Sequence, residues 1–145
     1  MKIRIFWVGK TKERYLIEGI NHYLKLLRYM AQISIIEIKD EKGKIRDEAL
    51  SLEGRRVLKQ TDSYILLDER GKEFSSKDFA RYLNDKSSVD FVMGGAFGVS
   101  DEVREKASDT IALSKMTLTH EMTRLVFLEQ LYRAMTIIKG KNYHY

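Results

Sequence analysis

The chain contains no cysteine and no proline among its 145 residues. Without cysteine it has no disulfide, no zinc site built on thiolates and no cysteine nucleophile. An RNA-modifying mechanism in which a thiolate attacks a pyrimidine ring is therefore excluded. Without proline, the turns depend on glycine and on short polar side chains for their backbone geometry.

The sequence also lacks long apolar runs and metal-binding patterns. No segment approaches the roughly 20 apolar residues that a membrane-spanning helix needs, and the chain begins on a strand pattern at Met1 instead of a signal peptide. The histidines, His22, His120 and His144, have no spacing typical of metal ligands. We therefore expect a cytoplasmic protein with no metal and no membrane contact.

The composition is that of a folded, moderately basic protein. Hydrophobic residues make up 43% of the chain and charged residues 32%, and the formal net charge is +5. At this length we expect one domain spanning residues 1–145. The positive charge favours a polyanionic partner only slightly, because many soluble domains carry a similar excess.

Strand and helix patterns alternate along the chain, which predicts an α/β fold with a mostly parallel sheet and helices on both faces. Apolar and β-branched stretches predict strands at 2–8, 32–39, 63–68, 89–93 and 110–114. Apolar residues at helical spacing predict helices between and after them, at about 12–30, 47–61, 76–86, 101–108 and 121–139. Thr11 is the expected N-cap of the first helix, and Ser75 and Ser100 are the expected caps of the third and fourth.

Three predicted strand ends carry loops that differ from simple connections. These loops are Leu67–Gly71, Gly94–Gly98 and Ser114–His120. In a parallel sheet the three strand ends share one edge, which is where α/β proteins bind ligands. The glycine loop is neither a Walker A motif nor a dinucleotide fingerprint, so by itself it is equally compatible with a tight turn between a strand and a helix.

The C-terminal tail is the other candidate for chemistry. Tyr143, His144 and Tyr145 follow a helix stop at Gly140, and such side chains can stack on bases or transfer protons. A frayed terminus with no role is an equal alternative. Arg133 lies in an apolar stretch of the last helix and needs a partner, which an acidic residue on a neighbouring helix would also supply.

Taken together, these motifs resemble the ribosomal large-subunit RNA methyltransferase H family of the SPOUT superfamily. The matching residues are collinear and span nearly the whole chain. They are Met1 to Gly9, Leu67-Asp68 with Gly71-Lys72, Phe91 to Gly95 with Gly98, Leu113 to Thr117, His120, Arg124, Leu131 to Ala134 and Tyr143-His144. The chain departs from the family pattern at Thr119 and Asn142, where proline is common, and its glycine loop carries Ala96-Phe97.

The resemblance implies a SPOUT-type fold whose C-terminal segment is threaded into a trefoil knot, a homodimer, and S-adenosylmethionine as methyl donor. The implied reaction is N3-methylation of a pseudouridine in a hairpin of large-subunit ribosomal RNA. The implied donor contacts are Leu67, Gly95, Ser114, Lys115, Met116, Thr117, Leu118 and Thr119. The implied catalytic residues are Arg133, Tyr143 and His144, which would meet the substrate across the dimer interface.

Two other classes of function stay open at this point. A non-catalytic RNA-binding module would bind RNA but not S-adenosylmethionine. A flavodoxin-like nucleotide binder would take FMN or a nucleotide phosphate, for which the loops offer no good cradle of serine, threonine and lysine. If the methyltransferase hypothesis holds, we expect the backbone of Gly95 to contact the donor and a valine at that position to close the pocket.

Overall fold

The computed structural model describes all 145 residues and contains five strands that alternate with five helices. The strands are β1 (Lys2–Val8), β2 (Gln32–Ile38), β3 (Ile65–Glu73), β4 (Ser88–Met93) and β5 (Asp109–Ala112). The helices are α1 (Arg14–Leu27), α2 (Arg46–Gln60), α3 (Ser76–Asn84), α4 (Asp101–Lys106) and α5 (His120–Ile138).

All five strands lie parallel in one sheet, in the order β2-β1-β4-β3-β5. The predicted α/β fold is therefore confirmed, and the sheet is parallel throughout. The interior strand β1 carries apolar side chains on both faces because both faces are covered. Ile3 and Ile5 belong to one hydrophobic core and Phe6 and Val8 to the other.

A helical layer covers each face of the sheet. On one face α1, α3 and α5 bury the larger core, where Phe127 of α5 packs edge-on against Phe91 of β4 at a centroid distance of 4.8 Å. Removing the fully buried Phe127 ring would cost about 3–5 kcal/mol of folding free energy. On the other face α2 and α4 bury the smaller core through Val57 and Val103. None of these helices combines the length and the apolar character needed to cross a bilayer.

The prediction that Thr11 caps the first helix was wrong. Helix α1 begins at Arg14, and its N-cap, Glu13, makes no capping hydrogen bond through its own side chain. The Thr11 hydroxyl instead accepts a hydrogen bond from Arg124 Nη1 at 2.9 Å. A carboxylate oxygen of Glu121 accepts from the backbone N–H groups of Lys12 and Glu13, at 2.7 and 3.1 Å, so α5 anchors the segment that leads into α1.

Strand β3 also differs from its prediction, because it does not end at Asp68. Leu67 and Lys72 both pair with Ile111 of β5, so the four residues between them bulge out of the ladder. Gly71 then crosses close to β5, where a Cβ atom would lie 2.6 Å from the backbone of Thr110. The bulge brings Asp68 and its neighbours to the edge of the sheet where the other loops gather.

Candidate functional site

A cleft of about 840 Å³ opens at the carboxyl ends of β3, β4 and β5. Its walls are the β3 bulge after Leu67, the glycine loop after Met93 and the loop that joins β5 to α5. The parallel sheet places these strand ends on one edge. The prediction that the three loops line one pocket is therefore confirmed.

The glycine loop is a tight turn whose geometry depends on two of its glycines. The Gly98 N–H donates to the Gly95 carbonyl at 3.0 Å, and Gly98 has a φ of 83°. A Cβ atom on Gly94 would lie 2.4 Å from the Gly98 carbonyl oxygen, whereas one on Gly95 would lie 3.4 Å from the Val8 side chain. The strictest requirement for glycine therefore falls on Gly94, one residue before the position that the sequence singled out.

The loop between β5 and α5 presents unpaired backbone donors. The Ser114 hydroxyl accepts from the Met116 N–H at 2.9 Å, while the N–H groups of Lys115, Thr117 and Leu118 donate to no protein group. The Met116 side chain is 79% exposed. The loop thus offers both hydrogen-bond donors and apolar surface, a combination typical of small-molecule sites.

The cleft brings together most of the residues that the resemblance implied for donor binding. Those that line it are Leu67, Gly95, Ser114, Met116, Thr117, Leu118 and Thr119. Lys115 does not line it, because its exposed side chain extends to Glu73, where Nζ lies 3.7 Å from a carboxylate oxygen. Only the backbone of Lys115 is therefore left for a contact with a ligand in the cleft.

An ion pair braces the wall of the cleft. Asp68 accepts hydrogen bonds from Arg104 Nη1 at 2.6 Å and from the Arg70 backbone N–H at 2.9 Å. Burial raises the pKa of this carboxyl group, but the hydrogen bond from Arg104 and the charges of both arginines outweigh burial and hold the pKa below its ordinary value. Asp68 is therefore ionised and ties the β3 bulge to α4.

The first turn of α5 closes the cleft. Thr119 is the N-cap, and its hydroxyl accepts from the Met122 N–H at 3.2 Å. His120 begins the helix, as predicted, and lines the cleft. Burial, followed by the positive charge of Arg124, lowers the pKa of His120. At neutral pH this imidazole is therefore uncharged and carries one donor and one acceptor.

A fully buried arginine anchors this turn to the sheet. Arg124 Nη2 donates to the Val8 carbonyl at 2.7 Å, and the guanidinium lies 4.9 Å from the centroid of the Trp7 ring. Burial lowers the pKa of Arg124. The sequence marked this residue only as part of a motif, because its partner at the end of β1 is distant in the chain.

The C-terminal tail folds back onto the middle of α5. Arg133 donates to a Glu129 carboxylate oxygen at 2.6 Å and lies 3.2 Å from His144 Nδ1. The Tyr143 hydroxyl donates to the same carboxylate at 3.3 Å, and its ring lies 4.7 Å from the Arg133 guanidinium. We call these four residues the tail cluster. The tail is held in place, so a frayed terminus does not describe it.

Tyr143 is protonated in this arrangement. Burial, then the neighbouring Tyr23 hydroxyl, raises the pKa of Tyr143 to about 12. At neutral pH the phenol therefore donates hydrogen bonds and does not serve as a base. No group of three or more histidine, aspartate or glutamate side chains is arranged to hold a metal ion, here or elsewhere in the chain.

The cleft and the tail cluster are separate within one chain. Thr123 is the last residue of α5 that lines the cleft, and Arg133 follows it at about 15 Å along the helix, given a rise of 1.5 Å per residue. Neither Arg133, Tyr143 nor His144 lines the cleft. A single chain therefore does not bring the implied catalytic residues to the implied donor site.

Comparison with known proteins agrees with this architecture. A family model described as "Predicted SPOUT methyltransferase" matches residues 1–144. The ribosomal RNA large subunit methyltransferase H of Thermodesulfovibrio yellowstonii is 44% identical over 145 residues, which covers 99% of both chains. The protein of the same name from Geotalea daltonii is 44% identical over 154 residues, with both chains fully covered. The chain belongs to the methyltransferase H family.

A solved structure outside the methyltransferase H family shares the fold. The crystal structure of a tRNA methyltransferase from Aquifex aeolicus superposes with a TM-score of 0.56 and 15% sequence identity, over 92% of this chain and 70% of that one. At this identity the match bears on the fold alone. The family resemblance noted in the sequence is confirmed by the full-length relatives.

Proposed function

We propose that this chain is an S-adenosylmethionine-dependent methyltransferase that methylates N3 of a pseudouridine in a hairpin of large-subunit ribosomal RNA, in the cytoplasm. The observation that carries the proposal is the cleft at one edge of the sheet, lined by loops with unpaired backbone donors. The names of the full-length relatives support ribosomal RNA as the substrate.

The cleft suits the methyl donor in size and chemistry. Its volume of about 840 Å³ falls within the range of about 300–1,000 Å³ that is usual for small-molecule sites. The free N–H groups of Thr117 and Leu118 would hold polar edges of the donor, and Leu67 with the exposed Met116 would contact its apolar parts. When bound, S-adenosylmethionine supplies an electrophilic methyl group on a sulfonium. The uncharged His120 adds no positive charge to the cleft that would hold this cation.

The tail cluster offers the groups that the acceptor needs. A pseudouridine N3 carries a proton that has to leave before or during methylation, and a positioned base assists that loss. His144 is our candidate. Its Nδ1 lies 3.2 Å from Arg133 and accepts from that guanidinium, which has only donors, so Arg133 would have to turn to the RNA before this nitrogen could take the proton. The protonated Tyr143 would donate a hydrogen bond to the base, and Arg133 would contact the RNA. Holding the acceptor nitrogen in line is the main remaining task.

We propose a homodimer because about 15 Å of helix separates the two regions in one chain. In a dimer, the tail cluster of one protomer would meet the cleft of its partner. Exposed apolar side chains on α1, Tyr15 and Ile17, are candidates for the buried interface. The proposal includes the trefoil knot that the family resemblance implies.

Calorimetry and methyl transfer test the proposal together. The expected results are saturable binding of S-adenosylmethionine and transfer of its methyl group to ribosomes from a strain that lacks the modification, mapped to pseudouridine N3 by mass spectrometry. RNA binding with no binding of S-adenosylmethionine would replace the proposal with a non-catalytic module. Affinity for FMN would replace it with a nucleotide binder, and a fully active monomer in sedimentation would overturn the dimer.

A further inference from the structure

Phe97 is an exposed aromatic ring at the mouth of the cleft. It lies in the glycine loop, and its side chain is 59% exposed. The guanidinium carbon of Arg46, from the start of α2, lies 4.9 Å from the ring centroid, and both residues line the cleft. A single exposed apolar ring is ordinary on a protein surface, but this ring lies at the mouth of the cleft and next to a guanidinium.

Arg46 differs from the other arginines of the cleft because no carboxylate neutralises it. Arg70 and Arg104 both pair with Asp68, whereas the Arg46 side chain lies over the Phe97 ring and makes no salt bridge. Its position in the first turn of α2 is also unfavourable for a cation, since the helix dipole places positive charge there. Asp47 and Glu48 lie in the same turn, but neither forms an ion pair with Arg46. The mouth of the cleft therefore holds an unpaired guanidinium beside an open aromatic ring.

We propose that Phe97 and Arg46 form a nucleotide-binding subsite at the rim of the cleft. Phe97 stacks on an unpaired base of the RNA, and Arg46 binds the adjoining phosphate. This inference rests on the proposed function, since it takes the RNA substrate as the ligand of this subsite. RNA loops are recognised in this way, by aromatic rings that stack on splayed bases and by arginines that contact the backbone.

RNA fits this pair of residues better than a protein partner does. An apolar protein surface would match Phe97 but would leave the Arg46 charge without a counter-ion, whereas a nucleotide satisfies both. The net charge of +5 adds a general attraction for a polyanion. Docking of a second copy of the chain on this rim is the competing outcome, and the experiments below distinguish it.

The chain contains a second arginine–aromatic pair that serves as a matched control. The Arg28 guanidinium lies 5.1 Å from the centroid of the Tyr29 ring, and Tyr29 is 75% exposed. This pair follows the carboxyl end of α1 and precedes Gln32, where β2 begins. It therefore lies at the edge of the sheet opposite the cleft, with similar chemistry and exposure.

The first experiment compares RNA binding and donor binding in the same variants. The probes are a synthetic hairpin with the sequence of the pseudouridine-containing rRNA hairpin, and S-adenosylmethionine alone. We expect Phe97→Ala to raise the Kd for the hairpin by about ten-fold, the usual effect of one stacked base, and to leave the Kd for S-adenosylmethionine unchanged. Phe97→Tyr should restore hairpin binding, and Tyr29→Ala should have no effect.

The second experiment detects stacking directly. Phe97→Trp places an indole at the rim, while the only native tryptophan, Trp7, is buried and gives a constant background. Oligouridylate should quench the new fluorescence, and an abasic oligomer of equal length should not. In salt titrations with the hairpin, Arg46→Gln should reduce the slope of log K against log salt by about one.

Three results would overturn the nucleotide-binding subsite. They are wild-type hairpin affinity in Phe97→Ala, weaker binding of S-adenosylmethionine with unchanged hairpin binding, and a shift in the monomer–dimer equilibrium with unchanged hairpin binding. Failure of the proposed function is visible separately, as a wild-type protein that transfers no methyl group. The fluorescence test does not depend on methyl transfer and decides the stacking contact in either case.

Discussion

The cleft and the tail cluster both include residues of α5, but they are built in different ways. The cleft is formed by loops that strand ends hold in place, and one of these loops presents free backbone N–H groups. The tail cluster consists of side chains gathered around one carboxylate, that of Glu129. The binding surface of the cleft is therefore a product of the fold, whereas the chemistry of the tail cluster depends on a few replaceable side chains.

The two regions also differ in completeness. The cleft is enclosed by loops of a single chain, with its own ion pair and its own helix cap. The tail cluster holds the His144 ring beside the hydrogen-bond donors Arg133 and Tyr143, but none of these residues lines the cleft. Under the proposed function the tail cluster is half of a site, and a partner protomer supplies the other half.

The largest effect is expected from the tail cluster. His144→Ala should lower the rate of methyl transfer by about 100-fold or more, the usual cost of losing a general base, while donor affinity measured by calorimetry stays nearly intact. Equal losses in transfer rate and in donor affinity would contradict the assigned role.

Mixing two defective variants tests whether the two regions act across the dimer. Neither His144→Ala nor Gly94→Ala should be active alone, but random mixing gives dimers in which one site combines an intact cleft with an intact tail. About a quarter of the wild-type rate should then return, since half of the dimers are mixed and each has one working site. If the regions act within one chain, mixing restores nothing.

The cleft should be most sensitive at Gly94. An alanine Cβ there would lie 2.4 Å from the Gly98 carbonyl oxygen, so the loop has to shift, and a displacement of about 1 Å can cost a factor of about 100 in a positioned site. We expect Gly94→Ala to lose donor binding on that scale in calorimetry. Gly95→Ala is the control, because its Cβ finds ordinary contact with Val8. Equal donor affinities in the two variants would show that the turn is not rigid.

Much of the fold follows from local patterns, because a covered parallel sheet constrains its own sequence. Strand β1 is apolar on both faces, which predicted helices above and below it. The caps at Ser75 and Ser100 were predicted from short polar residues at helix starts, whereas the Thr119 cap of α5 was not. The meeting of three loops at one edge followed from parallel strands alone.

What the sequence did not predict depends on contacts between distant residues. The hydroxyl of Thr11 binds Arg124, which lies 113 positions later, so a residue that looks like a cap is engaged in tertiary structure. The Lys115 side chain leaves the cleft because Glu73 lies within its reach. The Arg46–Phe97 contact joins the first turn of α2 to the glycine loop, and no local pattern relates the two segments.

A moderate effect is expected where side chains brace the cleft. Asp68→Asn should destabilise the protein by about 1–3 kcal/mol in urea unfolding at neutral pH, because it removes a charged hydrogen-bond partner from Arg104. Asp78→Asn is the control, since its pair with Arg81 is exposed and should contribute less than about 1 kcal/mol.

The pH dependence gives Asp68 a second signature. Because the fold holds the pKa of Asp68 below its ordinary value, its contribution to stability is complete above the ordinary aspartate pKa and is lost as the pH falls through the lowered value. The stability of Asp68→Asn should therefore decline less steeply in acid than that of the wild type. Parallel acid branches would contradict the assigned ion pair.

The smallest effect is expected at His120, in the first turn of α5. The same helix carries Glu129 and Arg133 of the tail cluster further along. The fold lowers the pKa of His120, chiefly by burial, so the unfolded chain takes up a proton there before the folded protein does. Stability should then decrease as the pH falls below about 6.5. Donor affinity should weaken by a small factor as His120 gains a proton, because a protonated imidazole would add positive charge to the cleft proposed for a cationic donor. His120→Gln should abolish both slopes, whereas His144→Ala should leave the slope of donor affinity in place. If donor affinity loses its pH dependence in His144→Ala instead, the tail cluster rather than the cleft controls the charge around the donor.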